Sequence, residues 1–270
     1  SCEEARQLNH QIADAGSAVV IGGGLLALEA AEALMQRGLD VSLNVRSRLL
    51  RKIAEPDISE YLQGRLQRRG LKILQGESLS RLTGGDSLEY AEFRGGRIPV
   101  SIVVAAAGIK ANSVLASAAG IDTGISEAIR VDHRMESSVK DVYAAGDCAE
   151  SPDYFSGKNV YSPLAGTAAL AGRTAGINAS GGSSTCPGIL RAQTDTVLGT
   201  QVYSIGWSSY DAENAGCTVS VRNIAPVDSG GTFKTGRLIV DEKDRIVGGQ
   251  LITGMSGSQY SCQLYRAVRD

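Results

Sequence analysis

The apolar run Ala18-Val19-Val20-Ile21 leads directly into Gly22-Gly23-Gly24, and the stretch that follows, Leu25 to Arg37, contains neither Gly nor Pro and stops at Gly38. This order predicts a buried strand, a tight turn and a helix with a glycine just past its C-terminus. Val41 to Val45 reads as a second strand. Asp57-Ile58-Ser59-Glu60 has the form of an N-cap with its capping-box glutamate, opening a helix whose Ile58, Tyr61, Leu62 and Leu66 share one face and which ends near Gly70. Leu71 to Leu74 supplies a third strand. Crossovers this short make neighbouring parallel strands in a doubly wound α/β sheet, preceded by a polar lead-in helix over Cys2 to Ala15.

Further along, Leu88, Tyr90 and Phe93, then Gly95-Gly96 and Arg97 to Val100, predict a hairpin with a polar face, and Ile102 to Ala106 another buried strand closing on Gly108. Ser113 to Ser138 is mixed. Val142-Tyr143-Ala144-Ala145 reads as a final strand before Gly146-Asp147, and a small-residue helix is expected from about Leu164 to Ile177. Asn178 to Pro187, rich in Gly and Ser, is the best linker candidate. Beyond it the pattern changes to strands near Thr196 to Ile205, Thr218 to Asn223, Arg237 to Asp241 and Arg245 to Ile252, with a helix opening around Ser256. That half is expected to be an antiparallel sheet with flanking helices.

The chain has 270 residues, room for about two ordinary domains. Its formal net charge of −2 gives no chain-wide reason to expect nucleic acid as a partner. Mean hydropathy is −0.05, the apolar stretches fall short of the roughly 18 residues that a membrane helix needs, and Ser1 to Asp14 is polar rather than signal-like, so a cytoplasmic protein without membrane insertion is the default. Cys2, Cys148, Cys186, Cys217 and Cys262 are widely spaced, without a Cys-x-x-Cys pair, which argues against a zinc ribbon, a thioredoxin-like centre or a disulfide scaffold. Two histidines leave little for a His-based metal site.

Gly22, Gly24 and Ala27 fit the dinucleotide fingerprint G-x-G-x-x-G/A in the context that it requires, after a strand and opening a helix. Gly22 permits the tight turn, Gly24 lets the backbone approach a pyrophosphate, and Ala27 is small enough for the helix to pack on the strand. The helix N-terminus then offers free N–H groups and a favourable dipole to the anion. At the end of the second strand an acidic residue would bond the ribose hydroxyls of NADH, but Leu43-Asn44-Val45-Arg46-Ser47-Arg48 contains none. Arg46, Ser47 and Arg48 suit the 2′-phosphate of NADPH; the alternative is a solvated basic turn that Arg51 and Lys52 continue.

Asp141 to Glu150 carries the second signal. A strand ending in Gly146-Asp147, with an earlier strand end at Ala106-Ala107-Gly108 followed by Ala111-Asn112, resembles the FAD-dependent pyridine nucleotide-disulfide oxidoreductases. Within them it is most similar to the branch of NADH oxidases, coenzyme A disulfide reductases, rubredoxin reductases and the flavin part of NAD(P)H nitrite reductases. The usual Ala-Thr-Gly and Pro-Asn of the family's junction are changed here, with Thr and Pro both replaced. The resemblance implies that Gly108 contacts NAD(P)H, that Gly146, Asp147 and Ala149 lie at FAD, with Asp147 on the ribitol, and that Glu29 lies near the nicotinamide and flavin. For Glu29 the alternative is an ordinary surface carboxylate. Ser162 to Gly181 resembles the helix whose N-terminus faces the flavin, and Thr196 to Arg269 the C-terminal interface domain.

The division so implied is 1–112 for NAD(P)H with the lead-in helix, 113–180 for the C-terminal part of a partial FAD-binding domain, and 181–270 for an α+β interface domain that permits a homodimer. Members carry two dinucleotide fingerprints, and this chain has one, in the internal position; an N-terminal FAD-binding segment with its redox cysteine is therefore expected to be absent or supplied by another chain. No cysteine here matches that centre, and Cys148 reads as a small buried residue. The expected activity is hydride transfer from NAD(P)H to FAD and on to an acceptor, which these residues leave open among a rubredoxin, iron–sulfur or haem protein, oxygen and a disulfide. The alternative is a non-catalytic nucleotide-binding fragment or subunit.

Overall fold

The computed structural model describes residues 2–124, 126–225, 233–254 and 258–269. In chain order it runs α1 (Cys2–Ala13), β1 (Ser17–Ile21), α2 (Leu25–Gln36), β2 (Asp40–Val45), α3 (Pro56–Arg68), β3 (Lys72–Gln75), β4 (Leu79–Gly84), β5 (Leu88–Phe93), β6 (Gly96–Pro99) and β7 (Ile102–Ala105). There follow α4 (Val114–Ala118), the two-residue strands β8 (Ser151–Pro152) and β9 (Asn159–Val160), and α5 (Ala165–Ala179). The last part holds β10 (Ala192–Val197), β11 (Thr200–Gly206), α6 (Ser209–Ala215), β12 (Val219–Asn223), β13 (Phe233–Asp241), β14 (Ile246–Thr253) and α7 (Ser258–Arg269).

The first unit is a parallel sheet in the order β3-β2-β1-β7. Side chains alternate across a strand, so β1 serves two cores. Ala18 and Val20 pack with Ala27, Leu28, Ala31 and Leu34 of α2 and with Ile58, Leu62 and Leu66 of α3. Val19 points the other way, to Ala91 and Phe93 of β5 and to Val100. The predicted hairpin thus covers the second face of the parallel sheet, extended by β4, a strand that the sequence did not reveal.

Helix α3 starts earlier than the Asp57 cap expected. Glu55 is the N-cap and Pro56 the first helical residue, a place where a fixed φ and a missing N–H cost nothing. Asp57 lies in the first turn, where it accepts from the Ile58 N–H at 2.9 Å and pairs with Arg237.

Residues 142–145 do not form the expected strand. They contribute one isolated bridge, Tyr143 with Glu136, and the bonds Ser137 N–H to Val142 O and Ala144 N–H to Met135 O. A strand needs a laddered neighbour, and none lies beside this segment among the described residues. Ala144, Ala145 and Cys148 instead pack on a small core of Ile129, Val131, Met135, Ala149, Ala171, Cys186 and Ile189. The Gly/Ser-rich stretch after α5 is tied down: buried Asn178 donates to the carbonyls of Arg134 and Ser184, and the Cys186 N–H to that of His133.

The C-terminal sheet is antiparallel, ordered β10-β11-β14-β13-β12, with α6 and α7. The run Thr196 to Ile205, expected as one strand, spans the end of β10, a two-residue turn and most of β11. Leu198 (φ 46°) and Gly199 (φ 71°) reverse the chain, the left-handed pair that suits a two-residue loop. The predicted helix start at Ser256 lies outside the described residues, and α7 is in place from Ser258. Helix α6, capped by a Ser208/Asp211 capping box, was not expected.

This sheet is seated on the first unit. Val197, Val202 and Ile252 share the α2/α3 core, and buried Glu55 accepts from the Ser209 N–H (2.9 Å) and hydroxyl (2.6 Å) and from Gln250 Nε2 (3.3 Å). In return Gln250 Oε1 accepts from the Glu55 N–H at 2.6 Å.

Candidate dinucleotide and flavin sites

The turn after β1 is fixed by close backbone contacts. Gly22 adopts φ +141°, its N–H donates to Asn44 O at 2.9 Å, and a Cβ on it would stand 2.3 Å from the Ala106 carbonyl oxygen. The same Cβ would lie 3.1 Å from that of buried Ala27, which accounts for a small residue there. Gly23, which the fingerprint leaves free, is equally constrained: a Cβ would meet Val45 Cγ1 at 2.9 Å, and its carbonyl accepts the Leu50 N–H at 2.6 Å. Gly24 differs from both. It is the N-cap of α2, with open space where a side chain would be, and no side chain caps the helix. A twelve-residue helix therefore presents uncapped N–H groups beside an open glycine, a surface that fits a pyrophosphate.

The basic stretch after β2 is divided by the structure. Arg46 and Ser47 are exposed, and no side-chain partner holds Arg46 among the described residues. Arg48 is turned inward, donating from both terminal nitrogens to the carbonyls of Ala54 (2.5 Å) and Arg51 (3.1 Å). Burial pulls its guanidinium below the ordinary value, against the opposing charge of Glu55. Arg48 thus braces the loop that leads to α3.

At the end of β7 the Ala106 N–H donates to Ile21 O at 2.8 Å, and Gly108, at φ +141°, is exposed with nothing near its missing Cβ. Ile109 beside it is 61% exposed.

The second site is built around Gly146, at φ +91° and open on its Cβ side, and around the exposed Asp147. Ala149 is buried, and its N–H is spent on Gly146 O (3.1 Å), so it shapes the turn from inside. Tyr161 donates its hydroxyl to the Asp147 carbonyl at 2.9 Å. Burial, and then the charges of Asp147 and Cys148, push this phenol above its ordinary value and keep it a neutral donor. The fifteen-residue α5 also begins without a side-chain cap, at the exposed small residues Ala165 and Gly166. Helices α2 and α5 thus each begin without a side-chain cap and with a glycine that has open space on its Cβ side.

Glu29 is exposed on α2, one turn from its start, and its carboxyl meets that of Asp195 on β10. No fingerprint signals Asp195, which is one acid between two threonines in a strand. Burial first, and then Glu29 and Glu32, raise its carboxyl to about 6. Of the cysteines, Cys148 donates weakly to Ala145 O at 3.5 Å, and Cys186 is buried, with its thiol pushed up by that burial. No helix among the described residues is long and apolar enough to cross a membrane.

Comparison with known proteins adds a family model, described as pyridine nucleotide-disulphide oxidoreductase, that matches residues 1–171. A CoA-dependent NAD(P)H sulfur oxidoreductase from Pyrococcus furiosus is 32% identical over 241 residues, covering 87% of this chain and 54% of that protein. An NADH oxidase from Methanocaldococcus jannaschii is 26% identical over 260 residues, covering 93% and 58%. Among solved structures, an NAD-dependent persulfide reductase from A. fulgidus superimposes with a TM-score of 0.91 at 27% identity, over all of this chain and 52% of the other. An engineered water-forming NADPH oxidase bound to NADPH gives 0.87 at 25% identity, over all of this chain and 61% of the other. The chain thus spans just over half the length of the curated relatives it matches.

Proposed function

Because the chain belongs to the pyridine nucleotide-disulphide oxidoreductase family, whose relatives are NAD(P)H-dependent flavoproteins, we propose that it supplies the NAD(P)H site and part of the FAD site of such an enzyme. The observation that carries this is the open Gly24 at the uncapped start of α2. Gly22 and Gly23 lock the turn, and the N–H groups of Leu25 and Leu26 at the start of α2 would hold the pyrophosphate. Gly108 leaves the backbone at the end of β7 open to the same nucleotide. Gly146 and Asp147 offer a turn and a carboxylate to the flavin's ribitol, steadied by Tyr161, and the start of α5 offers uncapped N–H groups to its ring. When both groups are bound, nicotinamide provides a hydride and flavin takes it up. The protein's part is to bind and orient the two and to set the charge around them.

Arg46 and Ser47 are the side chains placed to meet a 2′-phosphate, and the absence of an acid at the end of β2 favours NADPH. The division of labour follows the units, 1–112 for NAD(P)H, 113–180 for part of FAD and 181–270 for an interface between copies. The acceptor belongs to the classes named for the relatives, sulfur compounds or oxygen, with an electron-transfer protein as the third class. A cytoplasmic place suits that chemistry. The test is absorbance of the purified chain with added FAD and NADPH: a bound flavin spectrum that bleaches anaerobically on adding NADPH is expected, and a chain that takes up neither cofactor overturns the reading.

A second reading rests on the surface near Gly108, where Ile109, Val114 (76%) and Leu115 (86%) are exposed. On it the chain binds NADPH alone and holds FAD only with further polypeptide over that surface. NADPH binding without any flavin uptake favours this second reading.

A further inference from the structure

One oxygen of Asp195, Oδ2, is buried with no hydrogen-bond donor among the described residues, while Oδ1 accepts from the Thr196 N–H at 2.7 Å. The group that meets the side chain is the Glu29 carboxyl. Two ionised carboxylates are acceptors only and repel, and an unpaired buried acceptor costs free energy; one proton turns the contact into an O–H···O hydrogen bond. The surroundings offer no other relief. From α2, Glu32 adds a third carboxylate, already used by the Leu198 N–H (3.0 Å) and Gln36. From β11, Val202 stands opposite Asp195, flanked by Gln201 and by Tyr203, whose hydroxyl donates to Gln201. Two cations lie at the β10–β11 turn: Arg65 of α3 donates to Thr200, and Arg69 reaches the space beside Gly199.

We propose that Asp195 is a positioning residue for Glu29: in acid the two carboxyls share one proton across the α2–β10 junction, and its loss to solvent frees Glu29 and adds a negative charge near the start of α2. Glu29 is the fifth residue of α2, about 6 Å along the axis from the first. A dinucleotide pyrophosphate bound at that N-terminus meets the added charge, so affinity falls as the proton leaves. At the nucleotide end this deepens the function proposed above and rests on it; the shared proton does not depend on it.

Two measurements on the whole chain separate the two parts. Carbon-13 NMR without nucleotide follows the Asp195 carboxyl from pH 3.5 to 8. A midpoint near 6 that moves down in Glu29→Gln supports the pair, and a midpoint unchanged by that substitution overturns it. Titration with NADH is expected to weaken about threefold or more between pH 5 and 7.5, the effect of one charge at this range in a partly solvated site. Asp195→Asn and Asp195→Ala both leave Glu29 as the single charge of the junction, so each is expected to bind NADH near the native low-pH level without that pH dependence. A native pH profile in Asp195→Asn overturns the positioning role. A chain that binds neither NADH nor NADPH at any pH overturns the nucleotide end together with the function proposed above, and the carboxyl titration still decides the shared proton.

Discussion

A Cβ on Gly22 would stand 2.3 Å from the carbonyl oxygen of Ala106, so the ends of β1 and β7 meet backbone against backbone. The obstacle is a backbone carbonyl just past β7, not the tip of a flexible side chain, and Gly22 holds a φ of +141° that other residues rarely adopt. Gly24, two positions on, has neither constraint, with φ −89° and open space around it.

The two glycines therefore predict opposite phenotypes. Gly22→Ala is expected to lower stability by about 2 to 4 kcal/mol, read as a drop in the urea midpoint. Gly24→Ala is expected to leave that midpoint unchanged while weakening NADPH binding about tenfold or more, because the methyl occupies the approach to the pyrophosphate. Loss of stability in Gly24→Ala together with normal binding would refute the assignment of that open space.

Arg46 and Arg48 separate in the same way. Removing exposed Arg46 by Arg46→Ala should weaken NADPH about tenfold, the loss of one charge-assisted phosphate contact, and leave NADH nearly unaltered. Arg48→Ala should cost about 1 to 3 kcal/mol of stability, since the carbonyls of Ala54 and Arg51 lose their donor, and should not change the preference between nucleotides. Equal weakening of both nucleotides by Arg46→Ala would remove the 2′-phosphate contact from the reading.

What could be read in the sequence was local. Strand, turn and helix from Ser17 to Gln36 are legible because periodicity, glycine and helix length agree over twenty residues. The parallel order followed from the short crossovers. Val142 to Ala145 looked like a strand because its composition suits one, yet strand formation depends on a neighbour that composition does not encode. Thr196 to Ile205 was read through Leu198-Gly199 because leucine is an uncommon first residue for a left-handed turn. The inward use of Arg48 was hidden among four other polar residues of a basic run. The meeting of Glu29 and Asp195 could not be read at all, since it depends on how the C-terminal sheet sits on α2.

That seating predicts a stability effect far from any nucleotide. Glu55 is 4% exposed and Gln250 2%, and each accepts from a group of the other's unit. Glu55→Ala leaves the Ser209 N–H and the Gln250 amide buried without their acceptor, at about 2 to 4 kcal/mol. Glu55→Gln keeps one carbonyl oxygen for the Ser209 N–H and should cost less than half as much. Urea unfolding of the two variants measures this, and equal losses would show that charge, not acceptor geometry, holds the junction.

Asp195 makes the stability of the chain depend on pH in a direction opposite to that of most carboxylates. Its folded value, raised to about 6 from 3.8, means that the folded chain binds this proton more tightly than the unfolded one. The stabilisation is therefore fully present below about pH 3.8 and is lost as pH rises through 6, amounting to on the order of 3 kcal/mol across that window. Asp195→Asn has no proton to lose there. Subtracting its unfolding free energy from that of the native chain at each pH cancels the other titrating groups to first order, and the difference should shift against the native chain between pH 4 and 6.5. A difference that stays flat would mean that Asp195 keeps its ordinary acidity in the folded chain and that its buried oxygen is satisfied in some other way.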